Sequence, residues 1–145
     1  MYRNILIATD GSELAKKAEL HGIGLARAVG ARITAVTVTI PYTAYMTSEV
    51  AVAIDTSVFE ERTATMAKNR LDAIADHADK SGVTCTTIRA QTDPIYKGIV
   101  DTAEAQQCDL IVVASQGRRG LAGLILGSET TKVLTHSKIP VLVVR

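Results

Sequence analysis

Aromatic residues are nearly missing from this chain: among 145 residues there is no Trp, one Phe and four Tyr. Stacking platforms for single-stranded nucleic acid or sugar rings are therefore poorly supplied, and the core must be built from Ala, Val, Ile and Leu. An excess of charge is missing too. Sixteen Lys and Arg stand against fifteen Asp and Glu, a formal net charge of +1, so no overall field draws the chain to nucleic acid or to an anionic membrane. No run approaches the roughly 20 apolar residues of a transmembrane helix. The opening MYRNILIATDGS stops being apolar at Thr9-Asp10, too soon for a secretory leader, and the expected location is the cytoplasm. Cys85 and Cys108 lie far apart without a C-x-x-C or Cys/His ligand spacing and read as reduced, packed thiols. His21, His77 and His136 are equally scattered, and no metal site is expected.

What the chain has is alternation. Residues 4–9, 33–40, 83–90, 109–114 and 140–144 read as strands, and 109–114 and 140–144 show no polar alternation, as expected where both faces are covered by helices. Asp10-Gly11-Ser12 reads as a turn whose Ser12 caps a helix with Leu14, Ala18, Leu25 and Val29 in phase and Gly30 as its stop. Ser57-Val58-Phe59-Glu60 matches a capping box, opening a helix that buries Phe59, Met66, Ala67, Leu71, Ile74 and Ala78 before Gly82. Asp93 reads as the next N-cap with Pro94 at the first helical position, followed by a stripe of Ile95, Ile99 and Ala103. A fourth helix is expected from Ser128 to about His136. The stretch 42–56 is mixed in character and reads as a loop or a lid.

This order predicts one domain over residues 1–145: an open five-stranded parallel α/β sheet with helices on both faces and right-handed crossovers. In such sheets ligands sit beyond the carboxyl ends of the strands, where strand order reverses. Small and polar residues gather at Asp10 and Ala114, the ends of the first and fourth strands.

Gly117, Gly120, Gly123 and Gly127 punctuate the loop that follows the fourth strand and enters a helix at Gly127-Ser128. Backbone N–H groups, a hydroxyl and the positive end of a helix then share one concavity, which is a phosphate site in outline. Gly120 and Gly123 read as loop geometry. Arg118-Arg119 either clamp a triphosphate or are solvated at a loop tip. Asp10 either meets a ligand or only caps its own turn. There is no Gly-Lys-Ser/Thr phosphate loop, no G-x-G-x-x-G at the first helix and no Ser-Gly-Gly-x-Asp-Ser loop at the first strand. A nucleophile, base and orienter set is also missing, so hydrolysis is expected to be very slow or none.

Together, ILIATDGS near the N-terminus, Gly117 followed by nine residues and Gly127-Ser128, and the closing KIPVLVVR resemble the universal stress protein (UspA) family over the whole chain. The resemblance implies a Rossmann-like sheet of strand order 3-2-1-4-5, a stress-response regulatory role and a homodimer through the last strand. It also implies an adenine nucleotide as ligand, ATP or else AMP or ADP, with Mg²⁺. Asp10, beside Ala8 and Thr9, would face the ribose, and backbone groups near Val38 the adenine. Gly117, Gly127, Ser128, Glu129 and Thr130 would surround the phosphates. The family's nucleotide-binding branch carries Gly, two residues, Gly, nine residues and Gly-Ser or Gly-Thr, and here the first Gly position is Ala114. That departure keeps a second reading open, a dimeric interaction protein that binds no nucleotide.

Overall fold

β1 (Asn4–Ala8) has no solvent side: Ile5, Leu6 and Ile7 are completely enclosed. Successive strand residues face opposite ways, so Ile5 and Ile7 enter one helix layer and Leu6 the other. That is the signature of a central parallel strand. In the computed structural model, which describes residues 1–46, 55–117 and 126–145, β1 pairs in parallel with β2 (Arg32–Thr39) and β4 (Leu110–Ala114). β3 (Cys85–Gln91) and β5 (Val141–Val144) complete the edges, in the order β3-β2-β1-β4-β5. α1 (Glu13–Val29) and α2 (Thr56–Lys80) cover one face, and α3 (Ile95–Ala105) and α4 (Ser128–His136) the other. The fold class and strand order agree with expectation.

The helices differ from expectation in phase and in their starts. α1 buries Ala15, Ala18, Glu19, Gly22, Ile23 and Ala26, whereas Leu14 and Leu25 are half-buried and Val29 is exposed. Small residues win because the helix lies so close to the sheet that a Cβ on Gly22 would stand 2.5 Å from Ile7 Cδ1. α2 begins at Thr56 with Asp55 as its N-cap, accepting from the Ser57 N–H at 2.9 Å, so Ser57 is not the cap. Met66 is exposed. Phe59 leaves the core to meet the Tyr42 and Tyr45 rings edge-on, at centroid distances of 5.3 and 5.5 Å. Those tyrosines form a 3₁₀ turn, Tyr42–Tyr45; of the expected loop or lid at 42–56, residues 47–54 lie outside the described residues.

α3 starts at Ile95, with Pro94 in the cap position and no side-chain cap from Asp93. Its cap comes from elsewhere in the chain. Strand limits move by one or two residues, and β3 starts late because Val83 helps to close α2. The Val83 N–H reaches the Ala78 carbonyl at 2.9 Å around Gly82, which sits at φ +70°. Strand order reverses between β1 and β4, so their carboxyl ends leave a crevice.

Candidate functional site

At the end of β1 the chain turns through Thr9, Asp10 and Gly11 into α1. The turn is heavily determined: Ser12 N–H donates to Asp10 Oδ1 at 2.9 Å, Ser12 Oγ accepts from Ala15 N–H at 3.1 Å, and Gly11 sits at φ +76°. Asp10 therefore does cap its own turn. Its other carboxylate oxygen faces across the crevice, since a Cβ on Gly117 would stand 2.8 Å from Asp10 Oδ2. A side chain at 117 would displace the Asp10 carboxylate from this position. Arg70 of α2 also reaches the turn, its Nε 3.1 Å from where a Cβ on Gly11 would lie. Nothing in the local sequence around Arg70 signals that arrival.

On the opposite wall, Ser115 N–H donates to the Val144 carbonyl at 2.7 Å, and the Ser115 carbonyl accepts from Gly127 N–H at 2.7 Å. The two ends of the glycine loop are thereby pinned together above β4. Gly127 has an ordinary extended conformation, φ −71° and ψ 157°, and a Cβ there would touch Ser115 and Gln116 backbone atoms at 3.4 Å, an ordinary contact. It supplies no side-chain cap to α4. The N–H groups of Ser128, Glu129 and Thr130 consequently point out of the first turn without a partner among the described residues, at the positive end of the helix.

Three expected ligand residues are committed otherwise. Thr130 is buried and its hydroxyl donates to the Ala114 carbonyl at 2.9 Å, tying α4 to the end of β4. Glu129 Oε2 accepts the Tyr96 N–H at 2.8 Å, and this is the missing cap of α3. Thr9 is buried, and its hydroxyl donates to Glu19 while accepting from Gly11 N–H at 3.2 Å. Only the backbone N–H groups of Glu129 and Thr130 remain for a ligand. Ser128, the first residue of α4, is exposed.

Ala114 is half-buried against the α1 layer and is not among the positive-φ residues, so its methyl causes no backbone strain. Val38 packs its side chain beside α3, where a Cβ on Gly98 would meet Val38 Cγ1 at 2.9 Å. Its backbone is the useful part. Val36 accepts Thr9 N–H on the β1 side and Thr39 accepts Thr92 N–H on the β3 side. By strand alternation, the Val38 N–H and C=O face the β1 side just past the end of β1 and its neighbour Ala8. Neither has a partner among the described residues. Arg118, Arg119, Gly120 and Gly123 lie outside the described residues.

Glu19 is the buried group that the sequence pattern did not flag, although it falls in the Ala15-Ala18-Gly22 stripe of α1. It is 4% exposed. Burial pushes its carboxyl above the ordinary Glu range, while the Thr9 hydroxyl, His77 and Lys16 pull it part of the way back. A raised value means that the folded state holds the proton to higher pH than the unfolded chain. This contribution to stability is present below the ordinary carboxylate range and fades as pH rises through the Glu19 value. Burial likewise pushes the Cys85 and Cys108 thiols up, which keeps both protonated.

The fold defines a class: a doubly wound parallel α/β domain with a crevice at its switch point, between the β1–α1 turn and the N-terminus of α4. The chain belongs to the universal stress protein family, whose sequence profile matches residues 1–145. It is 30% identical to a universal stress protein of Thermus aquaticus, with 100% of each chain covered. Its structure is similar to that of the universal stress protein UspA of Lactobacillus plantarum, with a TM-score of 0.83, 25% identity and coverage of 99% of this chain and 98% of the other. A universal stress protein solved in complex with cAMP is also similar, with a TM-score of 0.74, 25% identity and coverage of 99% and 97%. No described helix is long and apolar enough to cross a membrane.

Proposed function

We propose that this chain is a stress-response regulatory protein that binds an adenine nucleotide, ATP in first place, in the switch-point cleft and turns it over very slowly or not at all. The observation that carries the reading is the pairing of two sets of outward-facing backbone groups across one crevice. The N–H groups of residues 128–130 at the start of α4 suit phosphate oxygens. The N–H and C=O of Val38 offer the donor and acceptor pair that an adenine edge requires. Between them stands the Asp10 carboxylate, which accepts hydroxyls and repels phosphate, as a ribose position demands. Ser128 adds an exposed hydroxyl, an oxygen donor of the kind that Mg²⁺ takes alongside phosphates. A universal stress protein of the same fold binds cAMP. Asp10, Ser128 and Glu129 form no nucleophile and base set, which supports binding without fast hydrolysis.

Denaturing freshly purified protein and chromatographing the released small molecules tests the reading, together with calorimetric titration of ATP and Mg²⁺. Adenine nucleotide is expected in the extract. Gly127→Glu is expected to abolish binding with the fold retained, because it puts bulk and negative charge at the helix end that attracts the phosphates. Wild-type protein that shows no heat at millimolar ATP would favour the interaction-protein reading instead.

A further inference from the structure

Beneath the Asp10 turn lies a cluster of buried polar residues. Thr9 at the end of β1 and Glu19 on α1 are 6% and 4% exposed and hydrogen-bonded to each other. Thr37 lies one strand over, next to Thr9 by the register that pairs Ala8 with Val36. It is wholly buried, and its hydroxyl bonds to nothing among the described residues. Glu19 is thus the acceptor that orients the Thr9 hydroxyl, and the Thr9 oxygen in turn holds Gly11 N–H at 3.2 Å. The charged or titratable groups facing Glu19 are Lys16 on its own helix, His77 on α2 and Asp10 on the turn.

We infer that Glu19 is a positioning residue for the nucleotide cleft, acting through Thr9 and Gly11, and that its ionisation weakens nucleotide binding. The inference rests on the nucleotide reading given above. The effect is electrostatic, because an ionised carboxylate accepts the Thr9 hydroxyl as a neutral one does. An ionised Glu19 adds a negative charge, in a region of low dielectric, behind the turn that carries Asp10 and that Arg70 also reaches, and the added charge opposes an anionic ligand. A neutral Glu19 keeps the Thr9–Gly11 support without that charge. Linkage makes the effect reciprocal, so nucleotide binding raises the pH at which Glu19 loses its proton.

The experiment compares ATP affinity of wild type and Glu19→Gln from mildly acid to mildly alkaline pH. Gln accepts the Thr9 hydroxyl as Glu does but stays neutral, and the titration of ATP itself cancels in the ratio of the two dissociation constants. The ratio is expected near one at the acid end, with wild type weaker by up to about tenfold at the alkaline end, the effect of a one-unit ligand-induced shift. His77→Gln should keep most of that pH dependence. Should Glu19→Gln fold poorly, the wild-type Gly11 amide resonance gives the same answer: its titration midpoint should move upward when ATP is saturating. A ratio independent of pH, a midpoint unmoved by ATP, or a pH dependence abolished by His77→Gln alone would overturn the inference while leaving nucleotide binding intact. Absence of ATP binding by every variant at every pH would overturn the nucleotide reading and this inference with it.

Discussion

Ala114 tests how much one methyl group matters in this cleft. Its φ lies outside the left-handed region, so the usual reason for glycine, relief of backbone strain, does not apply. Ligand approach is the remaining way for the methyl to act. Ala114→Gly is therefore expected to tighten ATP binding by about tenfold or less, roughly 1.4 kcal/mol, and to lower stability slightly through the freer unfolded chain. Calorimetry and thermal melts of the two proteins check this; equal affinities would show that the methyl is harmless. Gly117 is the contrasting case, since a Cβ there would collide with the Asp10 carboxylate itself.

Among the secondary elements, α3 and α4 behave as one unit because Glu129 serves both. Its Oε2 caps α3 at Tyr96 N–H, and its Oε1 stands 3.3 Å from Lys132 on its own helix. The Tyr96 and His136 rings close the far end of this contact at 4.6 Å. Glu129→Ala is expected to cost about 1 kcal/mol of stability, the ordinary value of a lost N-cap, and to weaken ATP binding only modestly because the backbone N–H of residue 129 is unchanged. A denaturant midpoint identical to that of wild type would contradict the capping role. A complete loss of ATP binding with stability unchanged would instead make the carboxylate a direct ligand.

At the scale of the whole molecule, β5 is an edge strand with Leu142 37% exposed and its outer N–H and C=O groups unpaired within the sheet. Such an edge invites a second strand, and a twin copy of β5 supplies one across a two-fold axis. We propose that the chain dimerises there. Leu142→Asp is expected to convert a dimer into a monomer in sedimentation equilibrium; an unchanged dimer, or a wild type that is monomeric throughout, would refute it.

The class of fold was legible in the residues alone. Strand and helix periods, the Ser12 cap and the Gly30 and Gly82 stops are local signals, and each depends on a few neighbouring residues. The strand order and the family came from motif resemblance, and the structure bears them out. What each polar side chain does was decided only by tertiary contact. Glu129, Thr130 and Thr9 all have the chemistry of ligand residues, yet each is occupied by a partner from a distant segment: Tyr96, Ala114 and Glu19 respectively. The start of α3 departs from the Asp93 cap for the same reason, since its cap arrives from 33 residues away. The phase of α1 turned on the closeness of Gly22 to Ile7, a distance that no pattern of large residues reveals. Periodicity records which face of an element is buried, whereas hydrogen-bond partners and close approaches depend on how the elements are stacked.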